Sequence, residues 1–107
     1  MASGFVVFLE PWFQLSAESA TFFEEELTRE VAPSHPLYGR KCTAIAKTGA
    51  SDDVLFSLED GTFAQVHLTH AQYPERRGWP RHRTFDSIAS WMVAIMIEDH
   101  IDHAGLW

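Results

Sequence analysis

The sequence predicts an α+β fold of order α-β-β-β-α: a three-stranded antiparallel meander flanked by an N-terminal and a C-terminal helix, with a short extra N-terminal strand as an option. Three observations carry this expectation. Two alternating apolar runs flank Asp60-Gly61, a third alternating run precedes them, and helix-period apolar stripes lie on both sides. Within one 107-residue domain the divisions fall at 1–15 (apolar segment), 16–31 (helix), 39–70 (meander), 71–84 (basic loop) and 85–101 (helix).

Phe5 to Leu9 is apolar and reads either as a short strand at a sheet edge or as a cover over an apolar patch, before Glu10-Pro11-Trp12-Phe13 breaks the pattern. Ser16 is a suitable N-cap for a helix from Ala17 to about Glu30, with Ala20, Phe23, Leu27 and Val31 at helical spacing. Glu18, Glu24, Glu25 and Glu26 are expected on its solvent side. Pro33 and Pro36 stop it and lead to the sheet.

In the first strand of the meander, alternation places Cys42, Ala44 and Ala46 on one core face and Ile45 outside. The hairpin register follows from a choice of turn. A two-residue turn at Asp60-Gly61 mixes apolar and polar positions on each face. A three-residue loop Glu59-Asp60-Gly61, with Gly61 left-handed, pairs Phe56 with Ala64, Val54 with Val66 and Asp53 with His67, and is preferred. Leu55, Ser57, Phe63, Gln65, His67 and Thr69 then share the opposite face. Ala71 to Arg83, with Tyr73-Pro74 and Trp79-Pro80, reads as a loop that wraps across the domain. Thr84 or Asp86 caps the last helix, whose stripe is Ile88, Trp91, Met92, Ile95 and Met96, with Val93, Ala94 and Ile97 extending it almost around the helix. Both helices are expected on the Cys42, Val54, Phe56, Leu58, Ala64, Val66 face.

The single cysteine excludes an internal disulfide, suits a reducing compartment, and reads as packing filler. The net charge of −7 argues against polyanion binding, although Arg76, Arg77, Arg81 and Arg83 supply four of the eight Lys and Arg residues within one stretch. Phe5 to Leu9 lacks the length of a membrane span or the leader of a signal peptide, so a cytoplasmic location is expected, with no membrane or nucleic-acid partner.

Glu30-Val-Ala-Pro-Ser-His-Pro-Leu-Tyr-Gly-Arg40, Asp53-Val-Leu-Phe-Ser-Leu58, Val66-His-Leu-Thr69, Trp79-Pro80 and Phe85 to Trp91 together resemble an uncharacterised family of small, mostly bacterial proteins. The resemblance covers most of the chain after Ser16. It implies a free-standing cytoplasmic domain and brings no assigned chemistry, so no catalytic residue is carried over.

No phosphate-cradling glycine loop, nucleophile elbow or metal knuckle appears, so no catalytic residues and no cofactor are assigned. Three sets of residues stand out. Asp53, Gln65, His67 and Thr69, with Leu55 and Phe63, form a candidate ligand or partner face in which Asp53 orients the His67 ring. Arg76, Arg77, Trp79, Arg81 and Arg83 suit phosphate or an acidic partner, but most of the arginines are expected to pair with the chain's own glutamate-rich helix. Asp99, His100 and His103 have the spacing of a weak metal site at a polar helix end, and no metal is assigned there. His67 and His70, three apart on a strand, point to opposite faces and do not share an ion.

The functional expectation is a small non-enzymatic protein-binding or regulatory module, immunity- or antitoxin-like by analogy of size and acidity, and a homodimer. The alternative is a small-ligand domain or enzyme using the sheet face around His67.

Overall fold

The computed structural model describes residues 6–105. Five strands form one antiparallel sheet in chain order: β1 (Trp12–Gln14), β2 (Cys42–Thr48), β3 (Asp53–Leu58), β4 (Phe63–His67) and β5 (Arg81–Phe85). Helix α1 (Ala17–Glu30) follows β1. After β5 comes a continuous helical rod made of α2 (Ile88–Trp91), a π-helical turn (Met92–Met96) and α3 (Ile97–Ala104).

The α+β class and the meander at the centre agree with the sequence. Phe56 pairs with Ala64, Val54 with Val66 and Asp53 with His67, as the three-residue loop requires. Gly61 sits at φ +87°, and its N–H donates to Leu58 O at 3.0 Å. Asp60 ties the loop by accepting from the hydroxyl and the amide of Thr62, which together with Arg40 hold its carboxyl at about 2.

The sheet has five strands instead of three. The N-terminal strand lies at Trp12–Gln14, beyond the Phe5 to Leu9 run. Phe8 and Leu9 instead pack on the core, and Phe5 lies outside the described residues. Arg81–Phe85, read from the sequence as the end of a loop and the start of a helix, is a strand paired with β4. The final helix is capped by Ser87, which accepts from Ser90 N, and not by Thr84 or Asp86.

The two helical segments cover opposite faces of the sheet, giving three layers where two were expected. One core joins Leu27 and Val31 of α1 to Leu37, Ala44, Val54, Phe56, Leu58, Ala64, Val66 and Leu68. The other joins Trp91 and Met96 to Trp12, Ala46, Leu55 and Phe85, with Ile45 and Phe63 packed against them. A β-bulge explains part of the difference. Ala44 opposes Phe56 but Ala46 opposes Leu55, so Ile45 is the extra residue, and Ala46 leaves the face that holds Ala44. Leu55, expected outside, is 0% exposed. A strand that is apolar on both faces needs a cover on each.

The π turn sets the contact of the second helix. Its Ile97 N–H reaches back five residues to Met92 O. In an α-helix Trp91 and Met96 would point about 140° apart; the wider turn brings both to the sheet, where they are fully buried.

Candidate functional site

The register across β3, β4 and β5 builds a polar surface beside the second core. Directly opposed strand residues share a face. Asp53, His67 and Arg81 therefore form one row, and Leu55, Gln65 and Arg83 the next. The structure thus joins two of the candidate sets, because Arg81 and Arg83 stand on a strand next to His67 and Gln65.

A chain of hydrogen bonds runs from the core to this surface. The Trp91 indole N–H donates to Gln65 Oε1 at 2.8 Å, Gln65 Nε2 donates to Asp53 Oδ2 at 3.0 Å, and the His67 Nδ1–H donates to Asp53 Oδ1 at 2.7 Å. Asp53 is half-buried and His67 exposed, so the bond leaves the His67 Nε2 lone pair directed away from Asp53. Such a ring can accept a proton or a hydrogen bond from a ligand. Thr69 is not part of this face. Its N–H donates to Glu30 of α1 and its hydroxyl bonds Glu75. Leu55 and Phe63 are covered by the second helix, which among the described residues leaves no flat apolar surface around His67.

Asp53 also lines a pocket of about 310 Å³ together with Thr48, Ser51, Asp99, Asp102 and His103. Two of the weak metal candidates are committed elsewhere: Asp99 Oδ2 accepts from the Trp12 indole at 2.8 Å, and His100 Nδ1 bonds Glu10 O at 2.6 Å. These bonds tie the last helix to the N-terminal segment. His67 and His70 do diverge, with His70 Nε2 3.6 Å from Asp52.

A larger cavity of about 470 Å³ opens on the other side of the sheet, between α1 and residues 37–42, with Leu27, Val31, Leu37 and Cys42 among its lining residues. Burial pushes the Cys42 thiol up to about 11, which leaves it protonated and a poor nucleophile.

The expected pairing of the arginines with the acidic helix does not occur. Among the described residues, none of Arg76, Arg77, Arg81 and Arg83 makes an ion pair. Arg76 and Arg81 instead lie 5.0 and 4.8 Å from the centre of the Trp79 ring, and Arg83 lies 4.9 Å from that of Phe85.

The sequence reading missed Glu26 and Glu30. Expected in solvent or left without a role, they are 1% and 0% exposed. Glu30 accepts from Thr69 N at 2.9 Å and His70 N at 2.7 Å, and Glu26 accepts from Gln72 N at 3.2 Å and from Arg29. Together they pin a loop in which His70 and Gln72 both have positive φ. Burial, then the neighbouring Glu26 carboxyl, raises Glu30 to about 7. Burial works upward on Glu26 as well, but its bonds to Glu30, Gln72 and Arg29 outweigh that and leave it lowered. The signal was available: positions 23, 26, 27, 30 and 31 are one helical face, filled as Phe, Glu, Leu, Glu, Val.

Compared with known proteins, the chain matches no family model, no curated protein and no solved structure. Among the described residues no helix is long and apolar enough to cross a membrane.

Proposed function

We propose that the protein is a non-enzymatic binding module that acts through protein contacts, the first of them with a second copy of itself. The observation that carries this reading is the outer side of the final helix. Val93 is 68% exposed, Ile97 39%, and Ala94 between them is exposed too. Both sheet faces already have their covers, so the core makes no use of this strip. Val93 and Ile97 are one i, i+4 ridge, and a twofold axis through it sets the ridge of one copy against the ridge of the other, the simplest closed arrangement for identical chains. The half-buried lone Cys42 fits a reducing, cytoplasmic setting.

Sedimentation equilibrium at micromolar protein tests the reading. A dimer is expected for the wild type and a monomer of unchanged helicity for Ile97→Glu. A monomeric wild type removes self-pairing.

A second reading, a small-ligand site or enzyme at the His67 face, is favoured by the Asp53–His67 bond at 2.7 Å and by the pocket that Asp53 lines. It calls for a ligand whose binding is lost in both Asp53→Asn and His67→Phe.

A further inference from the structure

Two of these arginines, Arg76 and Arg77, meet a second feature, a pair of histidines, at the tip of the segment leading into β5. Residues Arg76 to Trp79 form a tight turn, closed by the Trp79 N–H donating to Arg76 O at 3.0 Å, with Gly78 at φ +86°. The turn is anchored on both sides. Before it, Glu75 N–H donates to Glu30 O at 2.8 Å; after it, Arg81 enters β5. The guanidiniums of Arg76 and Arg81 rest on Trp79, which orders their side chains without neutralising their charge.

Facing this turn is the segment that follows α1. His35 is buried and fixed in one tautomer: its Nδ1 accepts from Leu37 N–H at 3.0 Å, so Nε2 carries the proton and donates to Pro80 O at 2.9 Å. Its ring lies 4.9 Å from that of His82. Between the two segments is a pocket of about 70 Å³ whose lining includes His35, Arg76, Arg77, Gly78, Trp79 and His82. A water molecule occupies about 30 Å³ of liquid. The pocket therefore has room for a tetrahedral oxyanion. Trp79, already covered by guanidiniums, is no open platform for stacking a base.

We propose that this pocket binds a single phosphoryl group, held by the Arg76 and Arg77 guanidiniums with the His82 ring beside them. Among the described residues neither Arg76 nor Arg77 has a carboxylate partner, and Arg76 is held against Trp79, so both charges remain available to an anion. Guanidinium forks match the spacing of phosphate oxygens. The titratable and charged groups that face His82 across the pocket are His35, Arg76 and Arg77, while β4 presents Val66 opposite it. Burial, and then the proximity of His35, keeps His82 below its ordinary value, and a dianion in the pocket reverses that pressure. The site is separate from the Val93–Ile97 strip, so it stands or falls independently of self-association.

The same group has two sources, free phosphate and a phosphorylated side chain. The test is an NMR titration of the full chain with inorganic phosphate and, separately, with a phosphoserine peptide, each against sodium chloride of equal ionic strength. Saturable shifts at the Gly78 amide, the Trp79 indole and the His82 ring are expected, with the His82 titration midpoint moving up. Arg77→Gln, an exposed position, should weaken binding by about tenfold or more, the loss expected for one charge-assisted hydrogen bond. Lys41→Gln, exposed and outside the pocket's lining, should not weaken it. Saturation by peptide and not by phosphate identifies a phosphorylated protein as the source, and saturation by both identifies the group itself. Shifts equal to those in chloride for both probes, or binding unchanged in Arg77→Gln and in Arg76→Gln, overturn the proposal.

Discussion

Glu30 shows how one buried carboxyl can order a loop and make that order depend on pH. Its two oxygens take the N–H groups of Thr69 and His70, and Glu30→Ala leaves both amides without partners. Each part-buried orphan costs up to about 1–3 kcal/mol, so a loss of about 2–6 kcal/mol in urea unfolding is expected. Its folded value of about 7 lies above the ordinary 4.5. The stability it contributes is therefore complete below about 4.5 and is lost as the pH rises through about 7. Glu26 has the opposite sign, since its lowered carboxyl contributes above its ordinary value and loses that contribution on acidification. Hydrogen exchange at Thr69 and His70, corrected for intrinsic rates, should show easier opening at pH 8 than at pH 5. Equal protection at the two values would separate the loop from the Glu30 proton. The helical face that Glu26 and Glu30 share with Phe23, Leu27 and Val31 was legible, but their burial was not, because a glutamate run on a helix ordinarily faces water and the partners that reverse this come from a distant loop.

At the scale of elements, the hairpin was fully legible because both its signals are local: alternation fixes the faces and Gly61 fixes the turn. Gly61→Ala meets no atom within 4 Å, so its cost is purely the strain of φ +87°, about 1 kcal/mol by denaturant midpoint. The elements that were misread depend on their neighbours. Arg81-His-Arg-Thr-Phe85 does alternate, but with polar residues on both sides until Phe85, and only the adjacent β4 makes it a strand. The bulge at Ile45 was invisible to a strict period of two, and it moved Ala46 to the other face. The π turn likewise has no sequence mark apart from Trp91 and Met96 lying five apart. Trp91 joins the layers through its T-shaped packing with Trp12 at 4.9 Å and its bond to Gln65. Trp91→Ala should cost about 3–5 kcal/mol. Trp91→Phe retains most of the packing but strands Gln65 Oε1, so a smaller loss, of about 1–3 kcal/mol, is expected. Loss of the Trp91 indole partner should also free the Gln65 and Asp53 side chains that orient His67, which places part of the candidate site's geometry in the core, where sequence patterns of surface residues do not reach.

For the molecule as a whole, charge separates what a phosphoryl group can do from what a nucleic acid can. A net charge of −7 repels a long polyanion even where a few arginines attract one phosphate, so labelled duplex DNA should show no tight binding by anisotropy at physiological salt. Tight binding that disappears in Arg76→Gln/Arg77→Gln would reverse that expectation. Three layers rather than two also change which apolar surface is left over. The sheet contributes none around Leu55, and the outer helix strip remains. At the margins of the sheet, β1 spans only three residues and pairs with Ala46, Lys47 and Thr48, so among the described residues the outer edge of the first half of β2 has no strand beside it. There Glu24 reaches across from α1 to accept the Ala44 N–H at 2.9 Å, and Leu15 N–H occupies Ile45 O at 3.0 Å. A carboxylate thus fills a place that another chain's carbonyl could take, and it brings a negative charge to that place. Glu24→Ala leaves that N–H open to the carbonyl of another copy, so faster fibril growth than in the wild type is expected by thioflavin fluorescence, and equal rates would show that this edge is closed by other means.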